Sequence, residues 1–140
     1  MPSIFTRIIR GELPGRFVWK DERVVAFLTI NPLRPGHTLV VPRDEIDHWL
    51  DLPPDLLAHV ARVSQSVGQA VQRALRPVKV GVIVAGLEVP HVHVHLVPVH
   101  SLGDFDFSKA DKHPDPAAMD RAAVAIRGEL RSAGHREVSD

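Results

Sequence analysis

Residues 89–99, VPHVHVHLVPV, contain a histidine at every second position: His91, His93 and His95. Side chains alternate between the two faces of a β-strand, so this spacing predicts a strand with three imidazoles on one face. The apolar residues between them are expected to face the core. Four interpretations of the imidazole face compete: a metal site, a nucleophilic site, a proton-carrying polar surface, and a face that merely meets solvent.

Composition limits the partners that such a strand could serve. The 140 residues are 44% hydrophobic, which predicts one domain, residues 1–140, with a buried core. Seventeen basic residues balance seventeen acidic ones, so neither a nucleic acid polymer nor a membrane is an expected partner, and a phosphate-bearing ligand must be bound locally. The absence of cysteine excludes disulfides, thiolate zinc sites and a cysteine nucleophile.

The amino-terminal segment, MPSIFTRIIRGELPG, has no long apolar run and carries arginines at short intervals. It therefore has the features of neither a signal peptide nor a membrane span, and a cytoplasmic protein is expected. Ser3 is a candidate N-cap for a short helix with Ile4, Ile8 and Ile9 on one side.

Strand patterns occur on both sides of a long helix. FVWKDERVVAFLTI (17–30) predicts two strands joined at a polar turn, and GHTLVVP (36–42) and VKVGVIVA (78–85) predict one strand each. Pro98 is expected to shorten the histidine strand. Between Pro54 and Pro77, apolar residues recur at spacings of three and four, which predicts a long helix. These residues are Leu56, Val60, Val63, Val67, Val71 and Ala74.

The carboxyl-terminal part, residues 103–140, is predicted to be a polar surface excursion followed by a helix that starts at Asp115 and Pro116. Phe105 and Phe107 are expected to attach the excursion to the core or to a dimer partner. The last seven residues, GHREVSD, are expected to fray. The apolar stripe of the final helix comprises Met119, Ala123, Ile126 and Leu130.

Other conspicuous side chains receive structural interpretations. Trp49 and Leu50 are expected to pack a short helix together with Ile46, leaving His48 outside. His59 falls on the polar side of the long helix and is expected to be solvated.

Strand geometry argues against a metal ion held by the three histidines alone. Successive side chains on one face lie roughly 6.6 Å apart and the outer two about 13 Å apart. Zinc binds imidazole nitrogens at about 2.0 Å, so two neighbours could chelate an ion but all three could hardly do so. Further ligands would have to come from His37 and His48. We therefore expect no metal and no other cofactor, with a zinc-binding module as an alternative.

The sequence resembles the histidine triad (HIT) superfamily of nucleotide hydrolases and transferases. HVHVHLV matches its signature of three histidines alternating with apolar residues, and the likeness extends to SIFTRIIRGELP, NPLRPGHTLVVPR and AGLEVPHVHVHLVP, covering roughly residues 3 to 98. The resemblance implies an α+β fold in which a long helix packs on an antiparallel sheet. It also implies a homodimer and a nucleotide bound against the histidine strand.

In the family the middle histidine of the signature, His93 here, attacks the α-phosphorus of a nucleoside phosphoramidate or dinucleoside polyphosphate. The resemblance gives His91 and His95 supporting roles through hydrogen bonds, and places His37 in the same polar network. A histidine rather than glutamine at position 95 favours a hydrolase. The chemistry agrees, because a neutral imidazole is a competent nucleophile near pH 7 and a phosphorus–nitrogen adduct hydrolyses readily.

Two departures from the family pattern affect substrate binding. Thr29 occupies the position where many members carry a ribose-binding aspartate or asparagine, and Gly86 and Leu87 replace a usual glycine-glutamine pair. Backbone amides near Gly86 could still stabilise phosphate charge. Glu88 and Asn31 complete the candidate substrate-binding residues.

Three functions therefore stay open. The first is a nucleotide hydrolase or nucleotidyl-transfer enzyme that forms a covalent intermediate on His93. The second is a catalytically weak nucleotide-binding or regulatory protein, for which the changes at Thr29 and Leu87 would account. The third is the zinc-binding module.

Overall fold

Five strands form one antiparallel sheet in the computed structural model, which describes residues 1–140. Across the sheet the order is β1-β2-β3-β5-β4. In chain order the strands are β1 (Phe17–Lys20), β2 (Val24–Leu28), β3 (Thr38–Pro42), β4 (Lys79–Ile83) and β5 (Val94–Val99). The helices are α1 (Ile4–Ile9), α2 (Pro54–Leu75) and α3 (Pro116–Ser132).

The sheet separates two apolar layers because its strands alternate buried side chains between both faces. On one face α2 and α3 cover the main core, to which Val40 and Leu96 contribute. On the other face α1 covers a smaller cluster that includes Phe27 and Leu39. Leu39 is paired with His95 across β3 and β5, so His95 points to the α1 side. This α+β arrangement, with the long helix α2 packed on an antiparallel sheet, confirms the expected fold.

The β1–β2 turn is organised by Asp21. Its Oδ1 accepts hydrogen bonds from the backbone N–H groups of Arg23 and Val24, each at 2.8 Å. Its Oδ2 accepts from Trp19 Nε1 at 2.9 Å and from His59 Nε2 at 2.7 Å. The expectation that His59 is solvated was therefore wrong, since this histidine connects α2 to the hairpin.

The histidine strand differs from the prediction at both ends. β5 begins at Val94, so only His95 lies in the regular ladder, while His91 and His93 belong to the segment leading into it. Pro98 does not shorten the strand. β3 begins with Thr38 opposite Leu96, so at Pro98 β5 has a neighbour only on the β4 side, and a residue without an N–H is tolerated there.

The last residues do not fray, contrary to the sequence expectation. Val138 forms a bridge with Trp19, and the backbone N–H of Lys20 donates to the carbonyl of Glu137 at 2.8 Å. The ring of His135 also packs edge-on against Trp19, with centroids 5.2 Å apart. This segment covers the β1 edge of the sheet and leaves β4 as the open edge.

The region after β3 also departs from the prediction. Trp49 and Leu50 are 42% and 66% exposed, because the turn that contains them, Trp49–Asp51, is too short to repeat a buried face. Leu52 packs into the core instead, beside a partly buried Ile46. None of the helices combines the length and the apolar character needed to span a bilayer.

Candidate active site

His91 is held at both ring nitrogens. Nε2 donates to the backbone carbonyl of Pro42 at 2.8 Å, and because a carbonyl can only accept, this nitrogen carries the proton. Burial lowers the pKa of His91, so the ring is neutral and Nδ1 accepts from the Ser3 hydroxyl at 2.7 Å. His91 is fully buried and has no free nitrogen for chemistry.

His93 has one occupied nitrogen and one free nitrogen. Nδ1 lies 2.7 Å from the backbone carbonyl of His91 and must donate to it, so the lone pair is on Nε2. Nε2 has no hydrogen-bond partner in the protein. Since every buried polar side-chain atom has a partner, Nε2 is accessible to solvent. His93 therefore presents a fixed, accessible nitrogen whose lone pair is free.

His37 fixes the tautomer of His95. The backbone N–H of Leu33 donates to His37 Nδ1 at 3.0 Å, so a neutral His37 carries its proton on Nε2. That nitrogen donates to His95 Nδ1 at 2.9 Å, which leaves the proton of His95 on Nε2. The ring centroids of His93 and His95 are 4.8 Å apart. The site therefore places the lone pair of His93 beside the N–H donor of His95.

The pKa values keep these rings neutral. Burial, with added repulsion from His95 and His93, lowers the pKa of His37 to about 3. Burial and the neighbouring His93 lower the pKa of His95 to about 4. Burial also lowers the pKa of His93, while its bond to the His91 carbonyl and the charge of Glu88 oppose this shift. At pH 7 the rings are therefore neutral, and each carries one proton, as the hydrogen bonds described above require.

Three groups at or beside the first helix take part in the site in ways that the sequence did not reveal. Ser3 caps α1 by accepting from the Thr6 N–H at 3.1 Å, and the same hydroxyl reaches His91. Glu45 accepts from the Ser3 N–H at 2.6 Å and from the Thr6 hydroxyl at 2.7 Å, bonds that lower its pKa to about 2. Phe5 packs edge-on against His93 at 4.8 Å between centroids. Ser3 was recognisable as a cap, but its contact with a residue 88 positions later was not.

His37 depends on the glycine before it. Gly36 has φ +93°, which favours glycine, and a Cβ at this position would lie 1.8 Å from Leu75 Cδ1. The proline-rich loop can therefore turn closely over the end of α2 and place His37 against His95.

The predicted substrate-binding residues fall in two places. Thr29 and Asn31 follow β2, where Thr29 Oγ1 accepts from the exposed Asn31 N–H at 3.3 Å. Gly86 and Leu87 lie between β4 and β5 and line a cleft of about 210 Å³ together with His93. Leu87 is 92% exposed. The adjacent Glu88 lies close enough for its charge to act on His93.

A second cavity, of about 410 Å³, opens on the other side of Phe5. Phe27 and Leu39 line it as apolar residues of the sheet, and Thr29 lies in its wall. Phe5 contacts both Phe27 and His93, so the residue that forms one wall of this apolar pocket also packs against the His93 ring. Its residues are distributed over α1, β2 and β3, which is why no single motif indicated it.

The carboxyl-terminal excursion also reaches the site. The Phe107 ring packs edge-on against His95 with centroids 5.0 Å apart. Phe105 lies over Gly81 of β4, where a Cβ would be 2.0 Å from its Cζ. Both aromatic residues therefore attach the excursion to the body of its own chain.

The histidines do not converge on a common point where an ion could bind. No three His, Asp or Glu side chains are arranged to hold a metal. Both nitrogens of His37 and His91 are hydrogen-bonded, which leaves two free imidazole nitrogens, Nε2 of His93 and Nε2 of His95.

Comparison with known proteins gives a consistent match. The HIT domain model matches residues 10–102. An uncharacterised HIT-like protein of Methanocaldococcus jannaschii is 38% identical over 99 residues, covering 68% of this chain and 77% of that protein. An adenylylsulfatase of Arabidopsis thaliana is 28% identical over 100 residues, covering 68% of this chain and 51% of that protein. Among solved structures, a zinc-bound histidine triad family protein from Mycobacterium smegmatis has a TM-score of 0.80 and 26% identity, covering 93% of this chain and 94% of its own.

Proposed function

The chain belongs to the HIT family, and we propose from this membership and the site geometry that it is a nucleotide hydrolase or nucleotidyl-transfer enzyme. Its proposed substrates are nucleoside phosphoramidates or dinucleoside polyphosphates. The observation that carries the proposal is the free Nε2 of His93, whose lone pair is fixed by the Nδ1–H bond to the His91 carbonyl. The adenylylsulfatase relative supports chemistry at a nucleotide phosphate.

In the first step, His93 Nε2 attacks the α-phosphorus, and the bond from phosphorus to the leaving nitrogen or oxygen breaks. The leaving group takes the electron pair of that bond and a proton from solvent. The imidazole acquires positive charge, and the proton on Nδ1 already faces the His91 carbonyl, which stabilises this charge. The product of the step is a nucleotidyl-histidine.

His95 supports the same step as a hydrogen-bond donor. Because His37 donates to its Nδ1, the Nε2–H of His95 is directed away from that bond and is free for a phosphoryl oxygen or the leaving atom. Backbone amides near Gly86, across the cleft that contains His93, would provide further donors.

In the second step, a water molecule attacks phosphorus and loses a proton to solvent, while the bond to His93 Nε2 breaks and returns its lone pair. The product is a nucleoside monophosphate. In nucleotidyl transfer another nucleophile takes the place of water.

The test is hydrolysis of adenosine 5′-phosphoramidate by the purified chain and by His93→Ala. The variant should lose on the order of 10³-fold or more in kcat/KM, because no other side chain can take over covalent catalysis. Intact-protein mass measurement after rapid quenching should show a nucleotidyl adduct on the normal chain and none on the variant. His113→Ala, at an exposed histidine outside the site, is the matched control.

Two outcomes would refute the assignment: full activity of His93→Ala, or an adduct mapped to His95. Nucleotide binding without turnover or adduct would instead favour the weak nucleotide-binding alternative, which rests on Thr29 and Leu87. Stoichiometric zinc after purification without added metal would favour the zinc-binding module.

We also propose that the chain forms a homodimer through β4. This strand is the open edge of the sheet, and Val78 and Val82 on it or beside it are 66% and 60% exposed. An apolar groove of about 760 Å³ lies between β4 and α2. An open strand edge next to an apolar groove is suited to pairing with a second copy.

Light scattering at micromolar concentration should give the dimer mass for the normal chain and the monomer mass for Val82→Lys. Val124→Lys on α3, where the wild-type valine is 63% exposed, should stay dimeric. A monomeric normal chain would contradict this assembly. The cytoplasmic location and the single-domain organisation stay predictions.

A further inference from the structure

The apolar pocket that Phe5 separates from His93 contains only three polar side chains: Arg16, Thr29 and Asp120. Asp120 belongs to α3 and lies outside residues 10–102, the part of the chain matched by the HIT domain. The carboxyl-terminal helix therefore brings a carboxylate to a pocket whose other walls come from α1, the loop between α1 and β1, and the sheet with the residues that follow β2.

Arg16 holds this carboxylate in place. Its Nε donates to Asp120 Oδ1 at 2.7 Å, and no other hydrogen bond to Asp120 occupies Oδ2. The Asp120 side chain is 68% exposed, which places it at the mouth of the pocket rather than at its apolar base. Thr29 Oγ1 accepts from the Asn31 N–H, while its own hydroxyl proton has no acceptor in the protein.

The pocket thus combines an apolar base with an unused carboxylate oxygen and an unused hydroxyl proton. A nucleoside phosphate fits this arrangement of apolar and polar groups if its base packs near Phe27 and Leu39 and its phosphate lies at His93. The sugar then lies between them, at the mouth. A vicinal diol brings two O–H donors, and an ionised carboxylate is a strong acceptor for them.

We propose that Asp120 binds the ribose hydroxyls of the substrate and makes the enzyme prefer ribonucleotides to 2′-deoxyribonucleotides. Arg16 acts as the positioning residue that orients this carboxylate. The inference rests on the proposed function, since it assigns a sugar contact to the substrate attacked by His93.

The test compares adenosine 5′-phosphoramidate with its 2′-deoxy counterpart, using the full chain and Asp120→Asn. The asparagine keeps the shape and can still accept from Arg16, so the helix contact is retained. A hydroxyl bound to a charged acceptor contributes about tenfold in affinity, less where solvent competes. We expect Asp120→Asn to lower kcat/KM about 5- to 10-fold for the ribonucleotide and less than twofold for the deoxynucleotide. Glu129→Gln, a charge-neutralising change on the same helix but outside the pocket, should change neither value.

Two outcomes would overturn the proposal. They are equal use of both substrates by the normal chain, and an equal loss, or no loss, for both substrates in Asp120→Asn. Because hydrolysis of either adenosine substrate by the normal chain would already support the proposed function, these results refute the ribose contact alone. Absence of turnover and of nucleotide binding in the normal chain would refute both proposals.

Discussion

Replacing His37 by Asn and by Gln separates its two hydrogen bonds, because each amide reproduces one ring nitrogen. In His37→Asn the Oδ1 atom takes the place of Nδ1 and can accept from the Leu33 N–H, but the donor to His95 is lost. In His37→Gln the Nε2 atom can donate to His95 Nδ1, but the Leu33 N–H loses its acceptor. In the normal chain these bonds are 3.0 Å and 2.9 Å long.

The two variants should therefore fail in different ways. A net hydrogen bond of about 0.5–1.5 kcal/mol biases the His95 tautomer by about 2- to 10-fold, so His37→Asn should lower kcat/KM by at most this factor of about 2- to 10-fold. His37→Gln should keep most of the activity. It should lower the free energy of unfolding by about 1 kcal/mol, because the partly buried Leu33 N–H loses its acceptor.

Urea denaturation and steady-state hydrolysis of adenosine 5′-phosphoramidate, measured on the same preparations, provide the test. His113→Asn is the control, because it makes the same chemical change at an exposed site. If His37→Asn were fully active, or if His37→Gln lost more activity than His37→Asn, the assigned order of donors from Leu33 to His95 would be refuted.

Three further predictions follow from the same contacts. The free energy of unfolding should fall as pH decreases from about 6.5 towards 4. Over this range the histidines of the unfolded chain bind protons, whereas the buried His37 and His95, with pKa values of about 3 and about 4, stay neutral in the folded chain. Urea midpoints that did not change over this range would contradict the burial argument. Ser3→Ala should lower the free energy of unfolding by about 2–4 kcal/mol in thermal or urea denaturation, because both the α1 cap and the donor to His91 are lost. The control Ser108→Ala, on the surface, should lower it by less than about 0.5 kcal/mol. The rate of hydrolysis should change less than about twofold in excess chelator, because the site has two free imidazole nitrogens and a catalytic zinc takes three protein ligands. A large loss of activity that added zinc reverses would show that the reaction depends on a metal ion.

Local patterns predicted most elements of the fold. Ser3 caps α1, Pro54 begins α2 and Asp115 caps α3, as their side chains and positions indicated. These features depend on residues within one or two turns of each other, so they are visible in a single sequence. The C-terminal residues were assigned wrongly because Val138 is ordered by Trp19, whose distance along the chain gives no local signal.

The candidate site, too, was predicted only in part from local patterns. The alternation of HVHVHLV indicated which side chains belong together, and the resemblance that it carries identified the family. The sequence did not indicate that His91 is occupied at both nitrogens, since its partners are Ser3 and the Pro42 carbonyl. Nor did it indicate that Asp120 borders the pocket containing Thr29.

The sequence by itself determined the types of chemical group, the periodicity of the strands and helices, and the membership of the family. Only the tertiary structure decided which nitrogen of each histidine carries a proton. A tautomer depends on whether its neighbour can donate or only accept, and for His91, His37 and His95 deciding neighbours come from other parts of the chain. For His93 the neighbour is the His91 carbonyl, whose direction is set by the fold.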